Sequence, residues 1–176
     1  DCGFSARVAT ARLARLAAAP EDLTAILVTH EHSDHVAGVF ALARRHQLTV
    51  YLTHGTYVAA ARGKSALPAC RVIDGHASFA IGSLEVLPFP VPHDAREPVQ
   101  YAFNNGQHRL GVLTDTGSIT PHIVDMLHAC DALVLECNHD RALLAASRYP
   151  AVLKERVGGR YGHLENAQAA ALLGQV

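Results

Sequence analysis

The sequence has no long apolar run, no excess of one charge, no internal repeat and no C-x-x-C pair, and each absence removes a class of protein. No stretch approaches the roughly 20 apolar residues that a membrane helix needs. No basic-then-apolar segment opens the chain, so a cytoplasmic protein with no membrane partner is expected. A formal net charge of -1 gives no global attraction to a polyanion, so any such site must be a local patch. Cys2, Cys70, Cys130 and Cys137 lie in or beside apolar stretches, and buried free thiols are expected rather than a disulfide framework. With no low-complexity tract or linker, residues 1–176 are expected to form one domain.

What the sequence does have is histidine, concentrated in one place. "VTHEHSDHVAG" at residues 28 to 38 packs three histidines and two carboxylates between His30 and His35, directly after the apolar run Ala25-Ile26-Leu27-Val28. "SARVATARLARLAAA" (5–19) predicts a helix with Ser5 as N-cap and Pro20 as its stop. "AILVTH" predicts a strand, and Val36, Val39, Phe40 and Leu42 have helical spacing over 33–46. The cluster therefore sits at a strand-to-helix junction.

Downstream, "LTVYLT" predicts a strand, "TYVAAARG" a helix, and "RVI", "FAI" and "LEVLPF" three strands. "PVQYAFNNGQHRLGVLTD" predicts a hairpin turning at Asn105-Gly106, which argues against a purely parallel sheet. A helix over 119–129, the strand "DALVLEC", a helix after Asn138 and a last one from Leu164 complete the pattern.

His30 and His32 are two apart on an extended segment, so their rings project to one side, while Asp34 and His35 fall on the first turn of the helix that follows. Two ligands can serve one ion and two a second, and imidazole with carboxylate suits Zn, Mn or Fe. The bland alternative is an accidental histidine-rich turn. Elsewhere, His93 ends a strand in "PFPVPHDA", Asp115 ends another in "GVLTDTG", and "LECNHD" and "GHLEN" offer His139 and His163. Each is weak alone and gains weight beside the first cluster.

Taken together, "THEHSDH", the lone His93 and "LTDTG" resemble the metallo-beta-lactamase superfamily of metallohydrolases. "PHDAREPVQYAF", "RLGVLTDTG", "LVLECNHD" and "GHLEN" resemble its YycJ/WalJ-type branch of DNA-processing exonucleases. The resemblance implies an α+β fold, the metallo-beta-lactamase αββα sandwich. It implies that His30, His32 and His93 hold one metal, that Asp34 and His35 hold a second, and that Asp115 bridges them. Two zinc ions are expected, with Mn or Fe as alternatives. The family pattern ends with one more ligand histidine at a strand end. His163 precedes a helix, and matches better the histidine that superfamily nucleases place near the scissile phosphate. The last ligand is then expected beyond Val176, and a strand hairpin ahead of Asp1, leaving the sandwich incomplete at both ends.

The expected chemistry is attack of a metal-bound hydroxide on a phosphodiester of DNA, with Asp34 or His163 handling protons. Substrate contacts are expected from His139, Asn138 and Arg160. The last belongs to a basic stretch with Arg141, Arg148, Lys154 and Arg156 against the single acid Glu155. His139 has a second reading, as part of a helix start capped by Asn138. Glu31 faces away from its neighbours and is expected on the surface or supporting a ligand, and His54 is expected to cap the helix after it. Two rivals remain. A glyoxalase II-like thioester hydrolase shares the first motif but usually carries a "GHTPGH"-like stretch where this chain has "PVPHDAREP". The other rival is a metal-binding but catalytically impaired fragment. Oligomeric state is left open.

Overall fold

The computed structural model describes all residues, 1–176, as two compact units: Asp1–Gly75 with Ala95–Pro98, and His76–Asp94 with Val99–Val176. No helix is long and apolar enough to cross a membrane.

The first unit alternates strands and helices. Its elements are α1 (Ala6–Ala14), β1 (Ala25–Leu27), α2 (Ser33–Val36), α3 (Val39–His46), β2 (Thr49–Thr53), α4 (His54–Ala61) and β3 (Cys70–Ile73). Each pair of successive strands is joined through helix, a connection that brings the second strand back parallel to the first. The sheet order β1-β2-β3 is accordingly parallel throughout. Ile26, Val28, Val39, Phe40, Val50 and Leu52 form its core.

Three local expectations are corrected here. The first helix stops at Ala14, because Ala17 adopts a left-handed conformation (φ 55°) that lets the Ala18 amide reach the Leu13 carbonyl. The helix expected over 33–46 is split at Gly38, where a Cβ would lie 1.8 Å from the Phe4 carbonyl oxygen. The segment after Asp1 crosses this helix at backbone contact, and the Gly38 amide donates to the Cys2 carbonyl at 2.8 Å. His54 does not cap α4 but is its exposed first residue. The helix start is held instead by Glu97, whose carboxylate accepts from the Gly55 amide at 2.5 Å.

In the second unit β4 (Phe79–Ile81), β5 (Leu84–Pro90), β6 (Val99–Asn104) and β7 (Arg109–Leu113) pair antiparallel in sequence order. Asn105 and Gly106 (φ 87°) make the β6–β7 turn as expected. β8 (Ala132–Leu135) joins β7 in parallel, through α5 (Pro121–Leu127). Then follow α6 (Arg141–Ala146), α7 (Ala151–Val157) and α8 (Asn166–Leu173). Phe89, Ala102, Leu113, Ile123, Leu127, Leu164 and Leu172 form the core.

Two more readings change in this unit. Asp140, not Asn138, caps α6, its carboxylate accepting from the Leu143 amide at 2.9 Å. The Asn138 backbone N–H donates to the Leu164 carbonyl at 3.1 Å. Cys137 is exposed rather than buried, lying two residues beyond the end of β8 where the strand's alternation no longer holds.

Candidate metal centre

In the first unit, β1 ends just before Thr29 and His30, which are both buried, and α2 begins just after His32. Asp1 holds this junction together. Its carboxylate accepts from the Thr29 amide (2.9 Å) and the Thr29 hydroxyl (3.0 Å), and its Oδ2 lies 2.9 Å from His35 Nδ1. A carboxylate only accepts, so the His35 proton sits on Nδ1 and the lone pair on Nε2. The Thr29 hydroxyl spends its proton on Asp1, so its oxygen accepts from His30 Nδ1 at 2.9 Å. His30 Nε2 is therefore the basic nitrogen, and it meets His32 Nδ1 at 3.0 Å. Asp34 is 80% exposed and places Oδ2 3.8 Å from His35 Nε2.

Oxygen acceptors behind the rings fix the tautomers so that imidazole nitrogens converge. Two imidazoles on one tetrahedral ion, at about 2.0–2.1 Å each, have nitrogens about 3.4 Å apart. The His30–His32 separation needs to open by only a few tenths of an ångström. The donor set of nitrogens and carboxylate oxygens fits Zn, Mn or Fe. Glu31 points the other way, as expected, and its Oε1 accepts from the Arg96 amide at 2.9 Å.

In the second unit, His93, Asp115, Glu136 and His163 come together. His93 is buried and donates from Nδ1 to the Gly162 carbonyl at 3.0 Å, leaving the lone pair on Nε2. Its ring packs edge-on to His163, with centroids 5.3 Å apart. His163 Nδ1 lies 2.6 Å from Glu136 Oε1 and 3.1 Å from Asp115 Oδ1. One ligand atom from each of Asp115, Glu136 and His163 falls within 4.8 Å of the other two. The two carboxylates, Asp115 and then Glu136, push the His163 imidazolium up to about 9 against the smaller opposing effect of burial.

Sequence reasoning did not single out Glu136 or Asp1. Glu136 is 8% exposed, and its second oxygen accepts from the Thr116 and Leu164 amides at 3.1 and 3.2 Å. The signal was present, since Glu136 directly follows the apolar run "ALVL", as His30 follows "AILVT". Of the substrate candidates, His139 forms an isolated bridge with Glu165, Asn138 is exposed, and exposed Arg160 lies over the Tyr161 ring at 5.4 Å.

Comparison with known proteins places this geometry in a family. The beta-lactamase superfamily domain matches residues 1–176. Exodeoxyribonuclease YycJ of Bacillus anthracis is 35% identical over all of this chain and 67% of its own length. Exodeoxyribonuclease WalJ of Streptococcus pneumoniae is 34% identical over 97% of this chain and 65% of its own. The chain thus spans about two thirds of the length of these curated relatives. Among solved structures, the metallo-beta-lactamase fold protein YhfI from Bacillus subtilis matches with a TM-score of 0.66 at 16% identity, over 87% of this chain and 60% of that one. The chain belongs to the beta-lactamase superfamily and has the metallo-beta-lactamase fold.

Proposed function

We propose that this protein is a metal-dependent phosphodiesterase that removes nucleotides from DNA ends, built on one partial metallohydrolase domain spanning residues 1–176. The observation that carries the reading is the locked tautomers. His30, His35 and His93 each give Nδ1 to an oxygen acceptor and present Nε2 as the basic nitrogen. A histidine retained only to cap or pack has no need of that arrangement. The names of the relatives YycJ and WalJ support the exodeoxyribonuclease assignment.

In this reading His30, His32 and His93 would hold one divalent ion, Asp34 and His35 would hold a second, and Asp115 would be a further ligand. Bound there, such ions would supply a hydroxide near neutral pH and would neutralise charge on the phosphoryl oxygens. The chain's own residues do the rest. Asp34, exposed beside His35, takes up the proton released during attack. His163, held through Nδ1 by Glu136, has Nε2 available to protonate the leaving oxygen. Glu136 is a positioning residue, fixed by two backbone amides. Asn138, His139 and Arg160 contact the substrate.

The test combines metal counting with hydrolysis. Elemental analysis is expected to find two divalent ions per chain, and labelled single- and double-stranded DNA to be shortened from an end with Zn or Mn but not after chelation. One ion or none per chain, or cleavage of thioesters or lactams with DNA left intact, overturns the reading.

A further inference from the structure

On an extended segment the residue between two like-facing side chains faces the other way, and Glu31 stands between His30 and His32. Its Oε1 accepts from the Arg96 amide at 2.9 Å, and its Oε2 is buried with no hydrogen-bond partner in the chain. A carboxylate that leaves a buried oxygen unmet costs stability, so its place inside the histidine cluster calls for a role other than holding the fold.

Arg96 belongs to the segment Ala95–Pro98, which is part of the first unit although His93 and Asp94 before it and Val99 after it belong to the second. Glu97 secures the same segment at the next residue. Its carboxylate accepts from the Gly55 amide, and its backbone carbonyl accepts from the buried Thr53 hydroxyl at 2.8 Å. Gly55 has no room for a side chain here, since a Cβ would lie 2.7 Å from the Glu97 Cβ and 3.2 Å from the Arg96 Cβ. The segment is thus seated on the start of α4 and tied through Arg96 to the turn that carries His30 and His32. His93 precedes Arg96 by three residues, a length of chain that reaches no more than roughly 11 Å. Holding Arg96 therefore limits where His93 can lie.

We propose that Glu31 is a positioning residue of the metal centre: through Arg96 it keeps His93 within reach of the ion that His30 and His32 would hold. The inference rests on the reading in which these three histidines share one ion, and it deepens that reading by giving the acid between two of them its task. Alternation divides the work. One side of the strand end would bind the ion, and the other fixes the chain that brings the third imidazole.

Cobalt(II) is the probe, because its visible absorption reports the ligands around it. Cobalt chloride is titrated into the metal-free chain against a competing chelator, with no DNA present, for the parent, Glu31→Ala and Glu31→Gln. Glu31→Ala is expected to bind cobalt about 10-fold more weakly and with an altered visible spectrum, the low end of what loss of an outer hydrogen-bond partner does to metal affinity. Glu31→Gln keeps an oxygen for the Arg96 amide and is expected to stay within about 2-fold of the parent. In a His93→Ala background, Glu31→Ala is expected to change the affinity by less than about 2-fold further, because the residue it acts through is gone. A general loosening of the fold would weaken binding whether or not His93 is present. The Glu31–Arg96 bond lies at the surface, where water replaces it, so Glu31→Ala retains the fold. Glu31→Ala binding like the parent, Glu31→Gln as weak as Glu31→Ala, or an undiminished loss in the His93→Ala background overturns the positioning role while leaving the metal centre standing. A parent chain that binds no cobalt overturns the metal-centre reading and this inference with it. The expected cobalt pattern with no hydrolysis of DNA supports the positioning role and counts against the phosphodiesterase step alone.

Discussion

Glu136 offers the sharpest test of how the second unit builds its half of the site. Its Oε2 accepts from the Thr116 and Leu164 amides, both on residues with no solvent exposure, and its Oε1 meets His163. Glu136→Ala strands two buried N–H groups, at about 1–3 kcal/mol each, for a loss of about 2–6 kcal/mol. Against a total stability of about 5–15 kcal/mol, that is a large share. At an m value of about 2 kcal/mol/M, the urea midpoint falls by about 1–3 M. Glu136→Gln separates fold from chemistry. Its carbonyl oxygen replaces Oε2 on both amides, and His163 Nδ1 loses one of its two carboxylate acceptors but keeps Asp115, so the stability cost is about 1–2 kcal/mol. The amide NH₂ then faces the His163 Nδ1–H, and one of the two carboxylates that hold the ring protonated is lost, so hydrolysis is expected to fall with the fold intact. Urea unfolding followed by circular dichroism reads both variants. An alanine variant within about 0.5 kcal/mol of the parent, or a glutamine variant as unstable as the alanine one, refutes the reasoning.

Asp1→Ala removes the acceptor that fixes His35 and, through Thr29, His30. Its metal affinity is expected to drop about 10- to 100-fold in competition with a chromogenic chelator, with the far-ultraviolet spectrum unchanged. Gly117→Ala places a Cβ 2.4 Å from the Arg160 carbonyl carbon and oxygen, and 2.4 Å from the Gly162 amide nitrogen. Backbone cannot yield cheaply there, so a cost of about 1–3 kcal/mol is expected in urea unfolding. At Gly82, with φ of 60° and open space around it, alanine costs only the left-handed conformation, about 1 kcal/mol. Leu52→Ala, in the fully buried centre of β2, is expected to cost about 2–5 kcal/mol by the same measurement.

The features legible in the sequence are those set by short-range pattern. The period-two spacing of His30 and His32 put both rings on one side, and their nitrogens meet at 3.0 Å. Asn105-Gly106 specified a hairpin, and the hairpin formed. The features that stayed hidden depend on distant backbone. Nothing near Gly38 says that the helix must break there, since the cause is the Phe4 carbonyl arriving from far upstream. The helix α7 was hidden in a stretch read only for its charge, although Pro150 before it and Gly158 after it are ordinary helix boundaries.

The missed acid shows where such reading has to stop. A strand-end rule applied evenly, with each apolar run watched for the polar residue that closes it, finds Glu136 as readily as His30. It does not find the partner of either. Glu136 reaches Asp115 and His163 because β7 and β8 pair with Leu113 opposite Leu135, and the Glu136 amide extends that ladder to the Leu113 carbonyl at 2.7 Å. A one-residue slip would turn Glu136 to the other face of the sheet and leave His163 with Asp115 alone. Residue types at strand ends are a property of the sequence. Which of them share a proton is a property of the register, and here the register is fixed by the apolar faces of β7 and β8 packing into the second core.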